Sequence, residues 1–242
     1  MSGRFTLYDL PSREPNQCWS LNPWKTRMLF NFKGFDYTTQ WVEYPDIAPT
    51  LKGHVPPNPQ GWEYTIPAAQ FPDGRYIMES KAIALQVEKE HPTPSARLDS
   101  PSLAALEETI NGKLFVACRG LIVASVPKNL LNPASVTYWM PNREKICGKP
   151  VDEFAAEHGG PQAIQNTGEI FGSVGELLKK NGGPFFDGET VGYADFVWAG
   201  VLLFFKRIDE KLFQDLLAAS GDADVHNRLL DACAPWSKRN DH

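Results

Sequence analysis

The chain has 242 residues, 42% hydrophobic and 22% charged, enough apolar material for one large domain or two small ones, and two is the expected division. A formal net charge of -5 with no Lys/Arg block offers no electrostatic footprint for a nucleic-acid backbone or an anionic membrane, which leaves small molecules or proteins as partners. The longest uncharged apolar run, Phe196 to Phe205, is too short to span a bilayer, and the first residues lack a basic-then-apolar leader, so a soluble cytoplasmic protein is expected.

Taken in chain order, RFTLYDL has the character of a short strand and leads through a polar loop to CWSLNPWKTRMLF. Ser20, Asn22 and Pro23 mark a helix start there, with Pro23 at the first helical position and the helix running to about Lys33. Two readings of the polar cluster stand side by side: ordinary capping, or a helix N-terminus whose partial positive charge stabilises a thiolate. After Gly34 the alternation in Phe35 to Glu43 predicts a strand parallel to the first, making a right-handed βαβ unit. The Pro/Gly-rich segment Tyr44 to Gly61 predicts a loop with a short helix at Ile47 to Lys52. Tyr64 to Phe71 predicts a third strand entered through Pro67, a turn follows at Pro72-Asp73-Gly74, and Arg75 to Met78 completes a hairpin. Glu79-Ser80 opens another helix.

Pro92 to Ser95 has linker composition, and the residues beyond it have helical spacing. The expected division is an α/β domain over 1–92, a linker over 93–101 and an all-helical domain over 102–242. One long helix is predicted from Ser102 to about Leu131, with others over Asn142 to His158, Pro161 to Lys180, Tyr193 to Ile208 and Glu210 to Ser220. The four cysteines, Cys18, Cys118, Cys147 and Cys233, show no CxxC and no metal-ligand spacing, and no histidine pair has helical spacing, so reduced thiols and no metal site are expected.

A small β-α-β-α-β-β-α domain joined by a Pro-rich linker to an all-helical domain resembles the cytosolic glutathione transferases, whose first domain has the thioredoxin-like α/β fold. Ile66-Pro67 is similar to their cis-proline turn, whose backbone pairs with the cysteinyl part of glutathione. Glu79-Ser80 is similar to the pair that holds the γ-glutamyl group at a helix start. Gly192-Tyr193-Ala194-Asp195-Phe196 resembles the buried capping motif of the second domain, except that Gly192 stands where the family usually has Ser or Thr.

Aligned backwards from Lys33-Gly34-Phe35-Asp36, Ser20 falls where the serine of bacterial lignin β-etherases lies, and SLNPWKTR with VEYPDIAPTLK resembles their fungal etherase-like relatives. The resemblance implies that Ser20 donates to the glutathione sulfur, with Asn22 as a second donor. Lys52 is a candidate for the glycyl carboxylate and equally a solvated surface charge; His54 is the weaker candidate. Trp24, Phe115, Arg119, Tyr138 and Trp139 are candidate walls of an aromatic acceptor pocket, each also a candidate for the core. An alignment on Pro23 instead places Asn22 where omega-type transferases carry a redox cysteine, and asparagine forms no mixed disulfide. Cys18 is the remaining redox candidate.

The implied function is attack of the activated thiol on hydrophobic aromatic electrophiles of the aryl ether or isothiocyanate type, or reduction of a peroxide, in detoxification of lignin- or wood-derived compounds. A ligandin that stores polyphenols with little turnover is the alternative, and a non-catalytic interaction module is a third reading. Homodimerisation is implied by the resemblance alone.

Overall fold

The structure, a computed structural model, describes residues 3–110 and 112–241. Strand β1 (Phe5–Asp9) pairs in parallel with β2 (Tyr37–Trp41), with helix α1 (Leu21–Phe32) as the crossover. Strands β3 (Ala68–Gln70) and β4 (Tyr76–Met78) extend the sheet antiparallel on the other side of β1, giving the order β2-β1-β3-β4. Helix α2 (Ile47–Leu51), entered through a 3-10 turn at Tyr44–Asp46, lies in the long connection, and α3 (Ser80–Glu90) closes the α/β part. This is the βαβαββα order expected from the sequence.

Local chemistry sets the element ends. Gly34 has φ +68°, and behind it the Gly34 N–H donates to Asn31 O at 3.1 Å and the Phe35 N–H to Phe30 O at 3.0 Å. This is a Schellman ending, with the Phe30 and Phe35 rings 5.6 Å apart as its apolar contact. It consumes Phe35 and Asp36, which is why β2 is shorter than the predicted strand. The third strand is also shorter than predicted, because Pro67 brings no N–H to the ladder and pairing begins at Ala68.

The helical part corrects the predicted boundaries in three places. The expected helix over 102–131 is three: α4 (Pro101–Ile110), α5 (Leu114–Ile122) and α6 (Ser125–Asn129). Gly112, at φ +72°, breaks the first junction, although the apolar spacing runs on across it. The expected helix over 142–158 is two: α7 (Pro133–Cys147), which starts nine residues earlier on the Asn132-Pro133 signal, and α8 (Val151–His158), separated from it by left-handed Gly148 and by Pro150. Helices α9 (Gly160–Lys179), α10 (Tyr193–Ile208) and α11 (Glu210–Ala219) lie close to their predicted positions. The sequence reading omitted α12 (Ala223–Ser237), which Asp222 caps by accepting from the Val225 N–H at 3.3 Å.

Helix α10 is the centre of the molecule, buried along nearly its whole length, and this explains the apolar run from Phe196 to Phe205 within it. It packs against α1 at Gly200, where a Cβ would stand 2.9 Å from Leu21 O. In the same core Trp198 Nε1 donates to His226 Nδ1 at 3.1 Å, and burial pushes that imidazole down to about 4. The unfolded chain protonates this histidine near 6.5, so stability falls as pH drops through the window from about 6.5 to about 4. At pH 5 the expected loss is about 2 kcal/mol relative to pH 7. The urea midpoint of His226→Gln should therefore depend less on pH across pH 5 to 7 than that of the unsubstituted chain.

Candidate functional site

Helix α1 begins at Leu21, two residues before the expected position, with Ser20 as the N-cap residue in extended conformation. Pro23 is thus the third helical residue, still in the first turn where a missing N–H costs nothing. The Ser20 carbonyl accepts from the Trp24 N–H at 3.1 Å, but the Ser20 hydroxyl makes no capping bond and has no partner among the described residues. The side chain is not spent on the helix. Two residues on, Asn22 Oδ1 accepts from Lys25 Nζ at 2.8 Å, an arrangement that leaves the Asn22 NH2 group as the unspent donor.

Three clefts meet at Asn22, and two of them reach Ser20. The first, about 310 Å³, lies between α1 and the helical part and is walled by Phe115, Arg119, Trp139, Arg143 and Phe204. The second, about 380 Å³, reaches Glu79, Ser80, Lys25 and Glu107. The third, about 400 Å³, reaches Ile66, Trp62 and Tyr138. Asn22 lines all three, and Ser20 lines the first and third.

The remaining sequence candidates fall into two groups. Ile66, Glu79 and Ser80 border the clefts. The Ile66-Pro67 peptide is cis, and the Ile66 N–H and C=O make no hydrogen bond within the described residues. Glu79 sits at φ +78°, a conformation that costs a non-glycine residue on the order of 1 kcal/mol, and its carboxylate accepts from Thr65 Oγ1 and Asn58 Nδ2. Ser80 is buried at the start of α3, and its carbonyl accepts from Tyr193 Oη at 3.1 Å, tying α10 to this corner. Phe115, Arg119, Tyr138 and Trp139 are cleft walls.

Trp24 and Lys52 lie elsewhere. Trp24 is core, packed where α1 meets Gly200, and reaches none of the three clefts. Lys52 is exposed at the end of α2 and also lines none of them, while His54 stacks on Tyr76 at 4.2 Å. Cys18 is fully inside, and burial together with the neighbouring Asp9 pushes its thiol well up, so it has the character of an inert core thiol rather than a redox nucleophile. Tyr8 on β1 is also buried, hydrogen-bonded to Tyr76 Oη and outside the clefts.

Residues 19–90 match the family description "Glutathione S-transferase, N-terminal domain", and residues 103–236 match "Glutathione S-transferase, C-terminal domain". The chain belongs to the glutathione S-transferase family. It is 34% identical over 231 residues to the glutathione S-transferase-like protein ustS of Aspergillus flavus, an alignment covering 87% of this chain and 83% of that protein. Among solved structures it is similar to a glutathione S-transferase of Ceriporiopsis subvermispora in complex with glutathione, with TM-score 0.83, 28% identity and coverage of 97% of this chain and 98% of that one. It is equally similar to glutathione transferase GSTFuA3 of Phanerochaete chrysosporium, with TM-score 0.83, 27% identity and 98% of each chain covered. The fold is that of the glutathione S-transferases, a thioredoxin-like α/β part followed by a helical part, and glutathione is the co-substrate of this family.

Within this glutathione S-transferase the second-domain capping motif is present with its one departure. Asp195 accepts from the Gly192 N–H at 2.7 Å and from the Phe186 N–H at 2.9 Å, so it caps α10 and anchors the preceding loop together. A Cβ at Gly192 would stand 3.3 Å from Arg97 Cβ and 3.4 Å from Ala96 O, so a side chain here would require these neighbours to give by a few tenths of an ångström.

Lys25, Tyr44 and Arg143 also line the clefts, though no local motif marks them. Burial pushes the Lys25 ammonium down to about 8, with the Glu107 and Glu79 carboxylates opposing the shift and Lys81 adding to it. Arg143 was legible in principle, since it lies four residues after Trp139, on the same face of one helix. Starting that helix at Asn142 instead of Pro133 hid the relation.

Proposed function

We propose that this chain is a glutathione transferase of the serine type, in which Ser20 and Asn22 together activate the glutathione thiol for attack on aromatic electrophiles. One observation carries the reading: two side chains with unspent donors stand at the N-terminus of α1 where all three clefts meet. The residues present suit an acidic tripeptide thiol. The free Ile66 backbone groups match a cysteinyl amide, and the Ser80 hydroxyl with the N–H groups opening α3 suits a carboxylate. The glutathione bound in the Ceriporiopsis subvermispora relative supports binding of the tripeptide by this chain.

In the proposed reaction Ser20 donates its O–H to the sulfur, Asn22 donates an amide N–H, and the α1 dipole adds its field, so the thiol releases its proton nearer neutral pH. With an aryl ether the sulfur lone pair then forms a C–S bond and the aryl-ether leaving group departs with the bonding pair. With an isothiocyanate the sulfur adds to the central carbon and the nitrogen takes up the proton. With a peroxide the sulfur attacks oxygen, the O–O bond breaks, and a second glutathione thiol completes the disulfide as water or alcohol leaves. Aryl ethers, isothiocyanates and peroxides are the acceptor classes the etherase-like resemblance suggests, lignin-derived aromatics among them. Lys25 acts through Asn22 as a positioning residue, holding the amide so that nitrogen rather than oxygen meets the sulfur.

Calorimetry of glutathione with the unsubstituted chain and with Ser20→Ala, alongside thiolate absorbance followed against pH, tests this. The expected result is a depressed thiol pKa in the complex that rises by about one unit or more in Ser20→Ala, one unit corresponding to about 1.4 kcal/mol. Glutathione binding with no thiolate signal in either protein would overturn the activation scheme. In that case the aromatic wall of the first cleft would favour a ligandin, storing polyphenols without turnover.

A further inference from the structure

The first cleft contains two positive charges that the acceptor chemistry has not used. Arg119 on α5 and Arg143 on α7 both line it, with no Asp or Glu on its wall. Elsewhere the arginines are occupied: Arg4, Arg27, Arg75 and Arg97 bond carboxylates, and Arg13, Arg207 and Arg239 bond backbone carbonyls. Arg228 is exposed on α12. Arg119 and Arg143 have no carboxylate or carbonyl partner among the described residues. Glu63 lines the third cleft with Arg143, but no ion pair joins them among the described residues.

The two are not free surface charges. Both are half-buried, and the Arg143 guanidinium stacks 4.7 Å from the centre of the Trp139 ring and 5.5 Å from that of Trp62. Burial pushes its pKa down from the usual guanidinium value, with smaller opposing contributions from Tyr44, Cys147 and Tyr138, so the charge is held at a desolvation cost. A stacked guanidinium keeps its in-plane N–H donors available, and these suit a carboxylate or phenolate in the ring plane of an aromatic ligand. In a chain of net charge -5 such a pocket is a local reversal of sign.

We propose that this cleft selects aromatic acceptors that carry an anionic group, a carboxylate or an acidic phenolate, with Arg143 and Arg119 as the residues that recognise it. Phe115 and Trp139 hold the ring, and the anion lies toward the arginines. The inference rests on the reading of this cleft as the acceptor pocket.

The test compares 1-naphthoate with 1-naphthamide, similar in shape and different in charge, by calorimetry in saturating glutathione. Naphthoate is expected to bind at least about tenfold more tightly, with the ratio falling to about one in the Arg119→Gln/Arg143→Gln double variant, since a charge-assisted hydrogen bond contributes that much. Circular dichroism checks that the variant is folded, and Arg143→Lys, which keeps charge without the planar fork, should retain part of the preference. Equal binding of the two probes to the unsubstituted chain would overturn the inference. So would a double variant that loses glutathione affinity and keeps its preference for naphthoate, because the arginines would then serve the tripeptide's own carboxylates. Inhibition patterns separate anion recognition from acceptor binding in this cleft. Naphthoate competitive against an aryl chloride acceptor supports both, whereas tight naphthoate binding that leaves acceptor turnover unaffected would remove the acceptor-pocket reading and the selectivity proposed for it.

Discussion

The Ser20→Ala/Asn22→Ala double variant should lose about 10²-fold to 10³-fold in kcat/KM toward an aryl chloride, the range found when preorganised donors to a developing or resident anion are removed. Both groups are at the start of α1, both line the first and third clefts, and neither donor is committed to the protein. Each single variant should lose less, because the remaining donor and the helix dipole still face the sulfur, and the two losses should not add. Lys25→Met should act through Asn22 only. It frees the amide to turn, so its loss in kcat/KM should be smaller than that of Asn22→Ala and should vanish in an Asn22→Ala background. A stopped assay with 1-chloro-2,4-dinitrobenzene at saturating glutathione measures these values. Undiminished turnover in the double variant would remove both residues from the chemistry.

Much of this site was legible because its signals are local. The α1 ending follows from Gly34 with two flanking phenylalanines, the α3 start from Glu79-Ser80, and α10 from an apolar run too dense for a surface helix. What escaped depends on contacts far apart in sequence. The apolar spacing from Leu103 to Leu121 is unbroken, and only Gly112 with its left-handed backbone shows that two helices share it. The wall of the first cleft is set by α7 gripping the connection after β2. There the Tyr44 N–H donates to Ser135 Oγ at 3.0 Å, Asn132 Nδ2 to Glu43 Oε1 at 2.8 Å, and Ser135 Oγ to Glu43 Oε2. No spacing rule predicts a pairing across ninety residues, so Tyr44, which lines the first and third clefts, was invisible as a cleft residue. Trp24 was misplaced for the same reason: its position on α1 allowed either face, and Gly200, far along the chain, decided it.

The largest stability effect is expected behind the site. Arg27 donates to Asp9 Oδ2 at 2.8 Å and to Thr39 Oγ1 at 3.0 Å, while the Leu10 N–H donates to Asp9 Oδ1 at 2.7 Å, and both ionised side chains are completely buried. The pair joins the end of β1 to the middle of α1, about two turns below Ser20. Asp9→Ala leaves a guanidinium without its counter-charge in the core, which should cost about 3–5 kcal/mol, a large share of the total for any domain. The exposed pair Arg4–Asp36, at a similar distance, should cost less than about 1 kcal/mol when broken, since water screens both ends. Asp9→Leu/Arg27→Met removes the buried charges together and should recover most of the loss, because apolar side chains of similar size demand no counter-charge. Urea unfolding followed by circular dichroism distinguishes the cases. If Asp9→Ala were as stable as the unsubstituted chain, the ion pair would not be what anchors α1. If the double replacement were as damaged as the single one, the strain would come from lost shape rather than from an orphaned charge.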